Sequence, residues 1–369
     1  MPRLIELALA FVRLGVTAFG GPAAHIALME EEFVRRRRWI SRERFLDVLG
    51  ASSLIPGPTS TELAMHIGLT RAGWPGLLVA GVAFIAPAAV LVAILAALYV
   101  RLGGLPAFDG VLRAIKPVVV VVVLVALAGL ARTVVRSLPV GLLVVGAAAL
   151  ASLGMHEVQV LLLTGIVNIA VGRRRAAPAA LAAISTAVTV NAAGVSAVPA
   201  LSVFAYFVRA GSVIFGSGYV LFAILRGDLV ERYGWLTEAQ LLDAIAIGQV
   251  TPGPVFTAAT FIGYLLGGTQ GAVIATVGIF LPAFAFTAMS ARLLARLRGS
   301  STARAFLDGV NAAAIALIAL VVLVLGRAAI VDITTGAYAV AAALLIVWVR
   351  VNSAWVILAS ALAGALRGF

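Results

Sequence analysis

The stretch Leu54-Ile55-Pro56-Gly57-Pro58-Thr59-Ser60-Thr61-Glu62 interrupts an apolar segment, and Gln249-Val250-Thr251-Pro252-Gly253-Pro254-Val255-Phe256-Thr257 interrupts another 196 residues later. Proline removes a helix hydrogen bond and disfavours helix in the residue before it, and glycine adds freedom. Each segment is therefore expected to be two half-helices meeting at Pro-Gly-Pro. Broken backbone inside a bilayer survives only where protein or a watered cavity satisfies it. The expected form is a re-entrant hairpin.

Working outward, the 196-residue shift relates much more of the chain. Phe11-Val12-Arg13 falls on Phe207-Val208-Arg209, Phe19-Gly20 on Phe215-Gly216, Trp39 on Trp235 and Leu46-Asp47 on Leu242-Asp243. Farther on, the shift becomes 195, with Ile67-Gly68 on Ile262-Gly263 and Pro87 on Pro282. Such ungapped identity marks an internal duplication. We expect an N-terminal repeat over 1–175, a linker with the start of the second repeat over 176–197, and a C-terminal repeat over 198–369.

Composition fixes the solvent. Of 369 residues, 63% are hydrophobic and only 11% charged, with mean hydropathy +1.13. Soluble domains carry about 25% charged residues. Apolar segments recur at roughly 4–29, 43–70, 73–100, 112–135, 138–154 and 157–172, and again at roughly 198–225, 239–266, 268–293, 308–326, 329–349 and 352–367. About 20 apolar residues cross the hydrocarbon core. The fold class is all-α: a polytopic membrane protein of two homologous repeats, each with about five transmembrane helices and a Pro-Gly-Pro hairpin. An odd number of spans inverts the second repeat. Inversion also gathers Arg35–Arg38, Arg132, Arg136 and Arg173–Arg175 with Arg292, Arg296, Arg298 and Arg304 on one side, which the positive-inside rule makes cytoplasmic. Twelve spans in parallel repeat is the competing count.

The net charge is +12 and Lys116 is the only lysine. In this setting arginines orient the protein and meet anionic lipid, so no nucleic-acid partner is expected. The absence of cysteine excludes disulfides and thiolate sites. His25, His66 and His156 form no metal-ligand pattern, and neither a metal nor a cofactor is expected. We also expect no cleavable leader, because the first apolar segment already belongs to the repeat.

Candidate functional residues follow from the breaks. Helix starts offer unpaired N–H groups and about half a positive charge, which suits an anion. Thr59, Ser60 and Thr61 after the first Pro-Gly-Pro (Pro56, Gly57, Pro58), and Thr257 after the second (Pro252, Gly253, Pro254), are candidate substrate ligands. The plainer reading is that these hydroxyls cap their own helices. The first segment of each repeat breaks at Gly20-Gly21-Pro22 and Gly216-Ser217-Gly218, which adds Gly20, Gly21, Gly216, Ser217 and the nearby His25. Arg13 and Arg209 occupy one repeat position near the middle of an apolar segment. Intramembrane charges default to function, so we expect both to face one central cavity. The alternative is ion pairing with Asp47 or Asp243. Glu62 and His66 share a helix face and have no counterpart in the second repeat, where Ala258 stands for Glu62. Proton coupling is a task needed once; a Glu–His pair that stabilises its helix is the alternative. His156 is expected in a solvated loop.

Residues 19–30 (Phe-Gly-Gly-Pro-Ala-Ala-His-Ile-Ala-Leu-Met-Glu), the Arg-Arg-Trp-Ile-Ser at 37–41 and Leu54 to Gly68 resemble the N-terminal half of the chromate ion transporter family. Gly216 to Leu221, Gly234 to Thr237 and Gly248 to Tyr264 are similar to its C-terminal half, with Ser217 where a glycine is expected. The resemblance implies a bacterial inner-membrane protein that exports chromate using the proton motive force and confers chromate resistance. Expected partners are a chromate or sulfate dianion, protons and membrane lipid, with a homodimer as a further expectation. The residues do not separate chromate from sulfate, or proton–anion antiport from a passive anion channel. No nucleophile or metal set supports an intramembrane enzyme.

Overall fold

The computed structural model describes residues 2–52, 55–103, 106–172, 198–214, 218–298 and 300–367. The expected ligands Gly216 and Ser217 and the linker 176–197 lie outside the described residues. What is described is helical: α1 Pro2–Thr17, α2 Gly21–Met29, α3 Arg42–Ser52, α4 Thr59–Leu102, α5 Pro106–Val134, α6 Leu138–Ser152, α7 Glu157–Gly172, α8 Ala200–Val213, α9 Val220–Leu225, α10 Glu238–Val250, α11 Ala258–Arg298, α12 Ser301–Ala329, α13 Ile333–Val347 and α14 Ser353–Arg367. Helices α2 and α9 run on into π-helical turns, Glu30–Arg36 and Arg226–Arg232. Four helical stretches, within α4, α5, α11 and α12, are long and apolar enough to cross a membrane.

Helices α4 and α11 each fold back on themselves. Ala72 and Gly73 leave helical geometry in α4, and Gly267 and Gly268 do so in α11. Gly73 (φ 64°) and Gly268 (φ 60°) sit in the left-handed region that a side chain resists, which is why glycine stands at both turns. Across the second turn the Thr260 and Thr276 hydroxyls lie 2.7 Å apart. Each helix thus has a short arm (59–71, 258–266) and a long arm (74–102, 269–298). The long arms extend about 43–45 Å at 1.5 Å per residue, enough to span a bilayer.

The long arms run antiparallel. Leu77 packs with Ala283, Phe284 and Ala288, and the Phe284 ring fills the space that a Cβ on Gly81 would need. The start of one arm therefore meets the later part of the other.

Two excursions precede the long arm of α4, and both return to where they began. Arg37 reaches Glu6 at 3.2 Å while Phe11 and Phe33 stack at 4.8 Å, so 6–37 folds as a hairpin. Arg71 lies over Trp39 at 5.0 Å and pairs with Glu6 at 3.4 Å, so 39–71 does the same around Pro-Gly-Pro. In the second repeat Arg209 pairs with Asp228 at 2.7 Å. Helix α1 packs along the long arm of α4, its Gly15 against the Ala83 and Phe84 carbonyls; α8 repeats this with Gly211 against Ile279.

Candidate functional site

The two Pro-Gly-Pro turns are exchanged between the repeats. The Gly57 N–H donates to the Ile214 carbonyl at 2.7 Å, and the Gly253 N–H donates to the Ala18 carbonyl at 2.9 Å. Gly57 packs on Ala283, and Gly253 packs on Ala88. Each turn thus rests on the midpoint of the other repeat's long arm, beside the end of the other repeat's first helix. A reciprocal contact of this kind implies a local two-fold relation.

A buried polar cluster surrounds these turns. Ser60, Thr61, Glu62, His66, His25, Thr287 and Ser290 are all at most 5% exposed. His25 Nε2 donates to the Ala18 carbonyl at 3.0 Å, and the Ser60 hydroxyl donates to His25 Nδ1 at 3.3 Å. Ala18 accepts from both His25 and Gly253, so the imidazole ties the first turn of α4 to the second Pro-Gly-Pro. Both ring nitrogens are engaged, which makes His25 a positioning group rather than the expected donor to substrate. His66 Nε2 lies 3.3 Å from the Ser290 hydroxyl on the long arm of α11.

Glu62 is fully buried, and among the described residues neither carboxylate oxygen has a hydrogen-bond partner; the Thr61 and Thr287 hydroxyls are also unpartnered there. Glu62 and His66, the alternative helix-stabilising pair, are not joined by a hydrogen bond. The Glu62 carboxylate instead folds back against Gly57, where it blocks a Cβ at that position. It therefore occupies the start of its own helix, where an external anion is favoured.

The other candidates divide. Thr59 opens the short arm and is partly exposed. The Thr257 hydroxyl donates to the Pro254 carbonyl at 2.8 Å, so it closes its own turn. Gly20 (φ 103°) and Gly21 (φ 78°) break the chain before α2, as expected.

The arginines require correction. Arg13 is exposed on the stripe that carries Ile5, Leu9, Val12 and Val16. Arg209 is held by Asp228, over the Tyr206 ring, with its side chain 41% exposed. Neither reaches the buried cluster. The reason is geometric: Leu7, Phe11 and Leu14 turn one face of α1 to protein and leave Arg13 on the exposed side, while Asp228 holds Arg209. Nor does Asp243 take Arg209. It pairs with Lys116 at 2.9 Å and accepts from the Tyr99 hydroxyl at 3.0 Å. His156, expected in solvent, is part-buried and bridges Asp228 (3.3 Å) and Glu157 (3.4 Å). Asp228 is the repeat counterpart of Glu32, which binds Arg36 and Arg37. The pair that the duplication repeats is Asp228 with Arg232, the counterpart of Glu32 with Arg36; the bond from Arg209 belongs to the second repeat.

A groove of about 860 Å³ lies beside the long arms, lined mostly by apolar residues such as Leu78, Val82, Val90, Val277 and Phe280, together with Thr260, Tyr264, Thr269, Thr276 and Arg101. Its surface is mainly apolar, and the Thr260 and Thr276 hydroxyls bond to each other, so the buried polar cluster is the better candidate.

The family profile described as Chromate transporter matches residues 5–171 and 201–365, once for each repeat. A chromate transport protein of Pseudomonas aeruginosa is 34% identical over 97% of this chain and 91% of its own length. One from Cupriavidus metallidurans is 32% identical over 98% and 92%, and a probable chromate transport protein of Synechococcus elongatus is 30% identical over 90% and 87%. No solved structure matches. The chain belongs to the chromate transporter family and is a multi-pass membrane protein.

Proposed function

We propose that this member of the chromate transporter family is a secondary transporter that moves chromate, a tetrahedral dianion, out of the bacterial cell across the inner membrane, driven by the proton motive force. The observation that carries the proposal is the exchanged pair of Pro-Gly-Pro turns, which brings helix starts from both repeats to one buried polar cluster at the midpoint of the long arms. Broken helices aimed at the midplane are how many secondary transporters hold substrate. The antiparallel long arms support repeats inverted across the bilayer, with 39–71 entering and leaving on one side. Sulfate has the same shape and charge and is the alternative cargo. A homodimer in the membrane is part of the proposal.

Ser60 and Thr61, with the first-turn N–H groups of the short arm, are the proposed ligands on the first repeat. Glu62 is the proposed coupling group. Ionised, its carboxylate neutralises the positive helix starts of the empty carrier; protonated, it cedes that place to the dianion. Loading chromate therefore asks Glu62 to take a proton; that proton leaves with the dianion, so the loaded form still carries net negative charge outward and the carrier resets with Glu62 ionised. Outward flux of a dianion gains about 2.3 kcal/mol per charge per 100 mV from an inside-negative potential. The proton's part is to reset the empty site. The sealed, buried state of the cluster favours a carrier over an open channel.

The test is chromate uptake into inverted vesicles with and without a proton gradient. Gradient-dependent accumulation supports the carrier; gradient-independent equilibration overturns it.

A further inference from the structure

The short arm of α4 lies alongside the long arm of α11. Ala283 packs on Gly57, and the Ser290 hydroxyl lies 3.3 Å from His66. At about 100° per residue, positions 283, 287 and 290 share one helix face. Thr287 therefore sits on the face that meets the short arm, between the contact at Gly57, where the Glu62 carboxylate lies, and the contact at His66.

Thr287 is fully buried, and among the described residues its hydroxyl has no partner. A hydroxyl side chain in a helix ordinarily bonds a carbonyl three or four residues back. Thr276 does so on Ala272, Thr164 on Val160, and Ser290 on Thr287 itself. Thr287 leaves that bond unmade. On the short arm, Thr61 and Glu62 are unpartnered as well, and no hydrogen bond joins the three. Buried groups left this way are costly unless a ligand meets them.

The duplication builds this interface twice, and at these positions only one copy is polar. Its mate runs along the long arm of α4, from Ala88 on Gly253 to Tyr99, whose ring meets Phe261 at 5.1 Å. There Val92 stands for Thr287, Leu95 for Ser290, Ala258 for Glu62 and Phe261 for His66. Both walls change together. A packing role for Thr287 gives no reason for that, whereas a ligand held between the walls does.

We infer that Thr287 is a substrate-binding donor, the second repeat's ligand to the oxyanion at the start of the short arm of α4. The inference rests on the oxyanion site proposed above. When Glu62 cedes its place, a tetrahedral dianion there accepts from the first-turn N–H groups and Thr61 on one wall and from the Thr287 hydroxyl on the other. One anion then bridges the short arm of the first repeat and the long arm of the second. Thr287 carries no charge at any working pH. Its part is affinity, whereas that of Glu62 is coupling, and the two separate by experiment.

The experiment measures chromate transport, with sulfate as competitor, in proteoliposomes of the full chain, and thermal unfolding of the same proteins. Thr287→Val keeps the shape and installs the side chain that the first repeat carries at Val92. It is expected to raise KM about tenfold, to leave the pH profile of kcat unchanged, and to leave the Tm unchanged or higher, because it removes an unpartnered buried hydroxyl. Thr287→Ser keeps the O–H and is expected to hold KM within about twofold of the parent. If Thr287→Val fails to fold, Thr287→Ala against Thr287→Ser reads the same hydroxyl. Thr61→Val is measured alongside. If Thr61→Val weakens binding and a folded Thr287→Val keeps the parental KM, this inference is overturned and the site reading stands. If both keep the parental KM, the site reading fails and takes the inference with it. An equal rise in KM in Thr287→Val and Thr287→Ser, or a rise accompanied by a lower Tm, also overturns it, because Thr287 would then act through packing. So does a raised KM with a shifted pH profile, because Thr287 would then act through Glu62.

Discussion

The backbone N–H of Gly57 donates to the carbonyl of Ile214, 157 residues away and in the other repeat. Its counterpart, Gly253 to Ala18, reverses the direction of gift between the repeats. Neither turn completes its backbone bonding within its own half. At membrane depth an unsatisfied N–H costs several kcal/mol, so the halves are bound at the point where each is most broken. The proposed substrate site and the joint between the repeats are in this sense one structure.

The joint makes the first prediction. Gly57 has φ 140°, and a Cβ there would meet the Glu62 carboxylate and, at 3.1 Å, Ala283. Gly57→Ala is expected to destabilise the protein by about 1–3 kcal/mol through backbone strain and to abolish transport. Thermal unfolding in detergent checks it. Gly253→Ala, aimed at Ala88, is expected to behave alike; an unchanged Tm in both would contradict the exchange.

A second prediction concerns the pair Lys116–Asp243, which links α5 and α10 with help from Tyr99 on α4. Breaking a buried pair by removing one partner costs about 3–5 kcal/mol, whereas replacing both with apolar groups is often neutral. Asp243→Ala is expected to lower the Tm strongly, and Lys116→Met with Asp243→Leu to recover most of the loss. Denaturation of the three proteins in one detergent decides it.

Much of this was legible in the sequence. The duplication, the breaks at Gly20-Gly21 and Pro-Gly-Pro, and the boundary between segments 43–70 and 73–100 are all written in proline, glycine and register. The side-chain environment was not. Lipid is as apolar as a helix interface, so hydrophobicity did not say which face of α1 meets protein, and Arg13 was assigned inward. Nor does segment length tell a crossing from an excursion that returns; only the meeting of Arg37 with Glu6 does that. Lys116–Asp243 joins groups 127 residues apart with no repeat counterpart to announce it.

Arg13 supplies the third prediction. Exposed on the outer stripe of α1, it is expected to be dispensable for substrate affinity. Arg13→Ala should leave the KM for chromate within about twofold. Arg209→Ala should instead lower the Tm by freeing the buried Asp228. Transport kinetics and unfolding of both variants check this.

The fourth prediction is a pH dependence at the Asp228 cluster. Burial pushes this carboxyl up, but hydrogen bonding to His156 and the Arg209 guanidinium outweigh it and hold it below its ordinary value of 3.8. A depressed carboxyl contributes stability above its unfolded pKa and loses it as pH falls through the folded one. The contact of Asp228 with His156 and Arg209 is therefore expected to persist down to about pH 4 and to weaken only below it. The Tm difference between parent and Asp228→Asn, followed against pH, should be constant above that range and shrink below it.

The central claim is that the start of the short arm of α4 holds the oxyanion and that Glu62 exchanges with it. It is tested most directly by labelled chromate uptake into inverted vesicles over a range of pH, comparing the parent with Glu62→Gln. The account predicts gradient-driven uptake in the parent with a carboxylate-dependent pH profile, and uptake in Glu62→Gln that no longer responds to pH. Uptake in Glu62→Gln with the parental rate and the parental pH profile would contradict it.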